Sequence, residues 1–171
     1  MNSALLLLRL VTGLLVAGHG VQKISFRLGG KGLAGGVEEF RQDGFRGGRL
    51  TALAAGGTQV GAGLLLAAGA LTPLAGAGVM GVMSVALTVK RPHGLWVQND
   101  GYEYPLLLVA VPAALVLAGP GAWSLDALLG YTNWPLWPTA GCLALGPVSG
   151  LLTRLALYQT PSLTTHPRNA S

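Results

Sequence analysis

Charge is scarce in this sequence. Aspartate, glutamate, lysine and arginine make up 10% of its 171 residues, against about 25% in a soluble domain. Cysteine is nearly absent: Cys142 is the only one, which excludes an internal disulfide scaffold and a cysteine-held iron–sulfur cluster. Acidic residues number six against eleven basic ones, for a net charge of +5. An excess of that size suits a nucleic-acid surface only when it is spread over the molecule, yet six of the eleven cations fall between Lys23 and Arg49. No nucleic-acid partner is expected. Disorder is excluded by an apolar content of 51%. One basic loop in an otherwise apolar chain is the pattern of a membrane protein facing membrane lipid.

A hydrocarbon core about 30 Å thick takes roughly 20 apolar residues of helix. Four runs qualify. Residues 4 to 22 hold Arg9 and His19 as their only strongly polar members, and residues 50 to 70 hold Thr51, Thr58 and Gln59. Residues 73 to 89 follow through Leu71-Thr72-Pro73, a tight helical hairpin, and residues 103 to 119 make the fourth run. The chain therefore reads as an all-α, polytopic four-helix membrane domain over residues 1 to 130. The first run reads as a mature span and not a secretory signal, because no Lys or Arg precedes it, Arg9 interrupts it and no small-residue cleavage site follows.

Residues 131 to 159 form a C-terminal extension whose apolar run, 138 to 157, is broken by Gly141, Gly146, Pro147 and Gly150. It fits a fifth span, a re-entrant piece or an interfacial helix. From Thr160 the prolines and threonines read as a disordered tail. Lys and Arg concentrate in the first loop (Lys23, Arg27, Lys31, Arg41, Arg46, Arg49) and the third (Lys90, Arg91), whereas the hairpin tip and residues 120 to 137 have none. By the positive-inside rule the basic end is cytoplasmic and the N-terminus is outside. A fifth crossing would return Arg154 to the basic end.

Ionisable groups within a bilayer are costly and tend to face a bundle interior. At 100° per residue, Thr12, Gly13, Val16, His19, Gly20 and Lys23 share one stripe of the first helix with Arg9. Arg9 and Lys23 either line a polar pocket or reach out to the two interfaces. Gln59 stands among small residues, Gly56 and Gly63, and its amide wants partners: Arg9 or a bound carbonyl would serve. Gly81, Ser84 and Thr88 give the third run a small face suited to close helix packing.

His19 and His93 end the first and third runs at one depth, which permits either a bis-histidine haem or neutral, hydrogen-bonded imidazoles beside a polar pocket. Residues 90 to 105 are the densest polar segment. Trp96, Tyr102 and Tyr104 suit an interface, while Asn99-Asp100-Gly101 reads as a turn that delivers Glu103 to the N-terminal end of the fourth helix. His19, Lys23 and His93 are its expected partners, and with Arg9, Gln59 and Tyr102 they make the candidate pocket. No metal site is expected. The run Gly76-Ala77-Gly78-Val79-Met80-Gly81 matches a dinucleotide-binding pattern, but it lies inside an apolar helix with no strand before it, so packing explains it better.

In order along the chain, Leu8-Arg9-Leu10, Gly18-His19-Gly20-Val21-Gln22-Lys23, Gly61 to Pro73, Gly101-Tyr102-Glu103-Tyr104-Pro105 and the stretch from Gly119 to Asp126 resemble the DoxX family of small bacterial and archaeal membrane proteins. The resemblance spans roughly residues 5 to 130 and leaves the extension unexplained. It implies a four-helix bundle in a cytoplasmic membrane and a redox association, since relatives act as membrane subunits of thiosulfate:quinone oxidoreductase or join assemblies that handle oxidative and thiol stress. Gln59 departs from the family pattern, where Glu often stands.

Three functions follow as expectations. The first is a quinone-linked oxidoreductase subunit or accessory in which a membrane quinone, the expected cofactor, meets Arg9, His19 or Gln59, with electrons arriving from a redox partner. The second is a non-catalytic anchor that recruits a soluble partner through the basic loop. The third is a small-molecule binding or transport protein, which with so few spans would need a homo-oligomer.

Overall fold

The computed structural model describes residues 2–159. Its longest helices follow the apolar runs: α1 (Asn2–Ile24), α3 (Gly48–Ala68), α4 (Thr72–Lys90), α5 (Glu103–Ala118) and α7 (Leu136–Leu157), with the short α2 (Gly32–Gln42) and α6 (Leu125–Leu128) in the connections. Four of them, α1, α3, α7 and α4 with its short continuation to His93, are long and apolar enough to cross a membrane. At 16 residues α5 is shorter. The expected tail from Thr160 lies outside the described residues.

Packing closes α1, α3, α4 and α5 into a ring: α1 lies along α3, α3 against α4, α4 against α5, and α5 returns to α1. Val16, Leu66, Val79, Met83, Leu108 and Leu115 fill its centre. The polar stripe predicted on the first helix faces inward, since Arg9, Thr12, Gly13, Val16 and Gly20 are all buried while Leu7, Val11 and Leu14 are exposed. Small residues set the approach of α1 to α3. A methyl on Gly13 would stand 2.5 Å from the carbonyl oxygen of Gly63, so the backbones touch directly.

The extension settles as a continuous helix. Gly146 of α7 lies on Ala77 and Met80, and Gly150 lies on Gly81, so α7 runs parallel to α4 along the outside of the ring. The glycines that weaken the run in sequence are what seat it. At the basic end α7 is stitched to the α2–α3 connection: Arg46 N–H donates to Leu157 O (2.9 Å) and Gln159 N–H to Gly44 O (2.7 Å). Phe45 packs edge-on between Phe40 and Tyr158.

Helix α2 has no counterpart in the sequence reading. Three of its 11 residues are glycine, a composition poor in helix propensity, and tertiary contact carries it: Gly36 sits on the Lys23 carbonyl at the end of α1, and α2 packs on α1 and α3.

Candidate functional site

The expected site residues fall into three places. Arg9 lies at the end of the bundle away from the basic loops, fully buried, and its Nη2 donates to the Trp123 carbonyl. It does not reach out to an interface. Behind it stands Asp126, 2% exposed, whose carboxylate accepts from Leu71 N–H (2.7 Å), Thr72 N–H (2.9 Å), Thr72 Oγ1 (2.7 Å) and Trp134 Nε1 (3.1 Å). The carboxylate thus caps the first turn of α4, where a negative charge is favoured. It also holds the hairpin, in which Leu71 has a φ of 46°. Gly69 leaves room for the guanidinium, since a methyl there would overlap Arg9 Nη1. Sequence reasoning singled out Arg9 and missed Asp126. The signal was available: Asp126 is the only acid after Glu103, in the connection assigned to the same end as Arg9.

The second place is the basic end beside α5. His19 Nδ1 bonds Gln22 Oε1 (3.1 Å) and His19 Nε2 bonds the Tyr104 hydroxyl (3.0 Å), with the two rings edge to face. His19 and Lys23 line a polar cavity of about 360 Å³ under α2, walled by Gln22, Lys31, Glu38, Glu39, Gln42 and glycines. The cluster expected around Glu103 does not form. Lys23 Nζ pairs with Glu39 (2.6 Å), and His93 Nδ1 lies 3.3 Å from Asp100, which also takes Lys90 Nζ at 2.5 Å. Glu103 opens α5 as expected, with Tyr102 just before it, but the next residue, Tyr104, is the one that turns to α1. His19 and His93 have different partners and do not form a facing pair.

The third place is a cleft of about 310 Å³ walled by α3, α4 and α7 and roofed by the end of α2. Its walls are mostly apolar: Ala54, Ala55, Val82, Val85 and Val89. Lys23, Glu39, Asp43 and Lys90 stand at its basic end. Gln59, 3% exposed, lines it deeper in, and its Oε1 is buried with no hydrogen-bond partner among the described residues. An unpaired buried amide oxygen costs about 1–3 kcal/mol. The expected contact with Arg9 fails because α1 and α3 are antiparallel: Gly13 faces Gly63 and Ala67, and Arg9 lies a further turn away, beside Gly69. Gln59 is about 12 Å down α3 from Ala67.

Charges at the cleft mouth are unevenly matched. Lys23 and Lys90 are held by Glu39 and Asp100, so Asp43 lines the cleft without a close cation. Burial pushes its carboxyl above the usual range, against the pull of Lys90 and Lys23. Lys90 draws Asp100 the other way, below that range.

The glycines of the dinucleotide-like pattern all serve packing: Gly76 meets Val116, Gly78 meets Ala62, and Gly81 meets Gly146 and Ser149. Among the described residues no group of three or more His, Cys, Asp or Glu side chains stands together as a metal site.

A family model, DoxX, matches residues 4–91, from the start of α1 to the end of α4. The match stops short of the Gly101–Pro105 and Gly119–Asp126 stretches and leaves α5, α6 and α7 uncovered. No curated protein and no solved structure matches the chain.

Proposed function

The chain belongs to the DoxX family of membrane proteins, and we propose that it is a subunit or accessory of a quinone-linked oxidoreductase system that takes a quinone headgroup into the α3–α4–α7 cleft. The observation that carries this reading is Gln59, a buried amide set in apolar walls: its N–H can donate to a quinone carbonyl, and its Oε1, which has no protein partner among the described residues, can accept from a hydroxyl of the reduced ring. Of the three residues expected to meet the quinone, Gln59 is the one in this cleft. Arg9 lies at the hairpin end, where Nη2 donates to Trp123 O while Nε and Nη1 are buried without a partner among the described residues, and His19 is engaged by Tyr104 and Gln22.

The quinone supplies the electron-accepting ring when bound. The protein supplies a water-poor slot with a polar anchor at one end. Asp43 at the mouth is the acid or base closest in character to a proton carrier, because its carboxyl is held above the ordinary range. One cysteine cannot bind an iron–sulfur cluster, so in this reading the redox centre belongs to a partner protein or the quinone acts alone. In this reading the basic end faces the cytoplasm of a bacterial or archaeal cell.

The test is gentle detergent extraction of the full chain, followed by mass spectrometry and an ultraviolet-visible spectrum of what co-purifies. Quinone retained by the wild type and lost from Gln59→Leu, with insertion intact, supports the reading. Quinone retained equally by both removes Gln59 from it. Protein free of quinone but holding a stoichiometric soluble protein replaces it with the anchor reading.

A further inference from the structure

The cleft can be approached from two sides, and they differ. At the basic end the last residues of α2 and those after it lie over the cleft, with Phe40 and Asp43 half-buried and Phe45 buried. That cover is fastened to α7: Arg46 N–H donates to Leu157 O, Gln159 N–H donates to Gly44 O, and Phe45 packs on Tyr158. The Lys23–Glu39 and Lys90–Asp100 pairs stand beside it. An apolar molecule passing there would strip water from those charges, which is costly.

The flank is different. Helices α3 and α7 both pack along α4 but, among the described residues, not along each other. Helix α4 is the floor of the gap between them, where Gly78 and Gly81 carry no side chain. The lining residues on either side, Ala54 and Thr58 of α3 and Ser149 and Thr153 of α7, are all exposed and form two lips. Both helices are long and apolar enough to cross a membrane, so the gap faces lipid. From Thr51 to Gln59 the cleft runs about 12 Å along α3. Its inner end is marked by the buried Gln59, whose Oε1 has no partner among the described residues.

We infer that the cleft is entered from the bilayer, between α3 and α7, and that its ligand is a lipid-dissolved molecule whose ring lies against Gln59 while an aliphatic tail passes out between the lips. At about 310 Å³ the cleft is at the small end for a ligand pocket, enough for a ring but not for a long chain as well. The chain leaves where the walls are exposed and apolar surroundings continue outside. One lip belongs to α7, outside the matched family segment, so the extension completes the slot.

This inference rests on the proposed quinone reading and has a readout of its own. The full chain in lipid nanodiscs is equilibrated with a benzoquinone whose decyl tail ends in a diazirine, then irradiated, and the adducts are mapped by mass spectrometry with excess unlabelled decyl-benzoquinone as competitor. Competitor-sensitive adducts are expected on the lips of α3 and α7, around Thr58, Ser149 and Thr153, with none on residues 40–45, and Gln59→Leu is expected to lose them. Competitor-sensitive binding whose adducts fall on residues 40–45, or nowhere on the lips, overturns the lateral entry and leaves the quinone site standing. Lip adducts that resist the competitor or persist in Gln59→Leu are ordinary lipid contact and overturn it too. No competitor-sensitive binding at all overturns both readings together.

Discussion

At the hairpin end of the bundle, Arg9 and Asp126 are almost wholly out of solvent and their contacts to Trp123, Leu71 and Thr72 join distant parts of the chain: α1, the α3–α4 hairpin and the connection before α7. At the basic end, Lys23–Glu39, Arg41–Glu38 and Lys90–Asp100 are ion pairs whose acids are about half exposed or more. Among the described residues the hairpin end carries one arginine and one aspartate, both buried, and the basic end most of the charge, yet the rigid join is at the former. Exposed pairs return little because solvent screens them. A buried carboxylate with four donors cannot be released without leaving each of them unsatisfied. The end with few charges is built to hold, and the end with many surrounds both cavities and stays adjustable.

The comparison breaks most visibly at Asp126. Asp126→Ala strips the acceptor from Leu71, Thr72 and Trp134 and leaves Arg9 without its nearest negative charge, at an expected cost of about 3–5 kcal/mol. Thermal unfolding in detergent reads it, and a loss no greater than that of Asp100→Asn would erase the contrast between the ends. Gly69→Ala comes next. Its methyl overlaps the Arg9 guanidinium and its φ of 64° disfavours a side chain, for about 1–3 kcal/mol. Combining it with Arg9→Leu in a double-mutant cycle should recover the part of the clash that Arg9 causes, leaving the contact with Ser124 Cβ and the backbone strain.

At the basic end the effects are smaller and depend on pH. The folded chain raises the Asp43 pKa, so it binds this proton more tightly than the unfolded chain does; stability is greatest below the ordinary carboxylate pKa and falls as pH rises through the raised value. Asp43→Asn should therefore raise the unfolding temperature at pH 7, with the gain shrinking toward pH 3. Asp100 has the opposite sign. Lys90 lowers its pKa, so its contribution is present above the ordinary carboxylate value and lost as pH falls through the lowered one. Asp100→Asn should cost less than about 1 kcal/mol at pH 7, and high salt should remove most of that difference.

Hydropathy made the spans readable, because a helix that must satisfy its backbone inside lipid needs a long apolar run and little else. The inward stripe of α1 was readable for the same reason: Arg9, Thr12 and Gly13 repeat at helical spacing. Helix α2 was not, since its glycines argue against a helix and only the ends of α1 and α3 hold it. The Glu103 cluster was misjudged by one residue, a 100° rotation that turns Tyr104 to His19 instead. The cleft could not be read from sequence at all. Its lining comes from α1, α3, α4, α7 and the end of α2, and nothing local distinguishes Gln59 with an empty hydrogen-bond position from Gln59 with a filled one.

Composition and periodicity alone determined that this is an all-α membrane protein with its basic loops at one end, because burial in lipid is decided by the average character of about twenty residues at a time. Which polar groups meet was decided by tertiary structure. Arg9 found the Trp123 carbonyl, 114 positions along the chain, and the glycines of α7 found Gly81, because hydrogen bonds and close backbone approach act over a few ångströms and depend on how neighbouring helices register. The weakest run of the sequence became a wall of the candidate site for that reason.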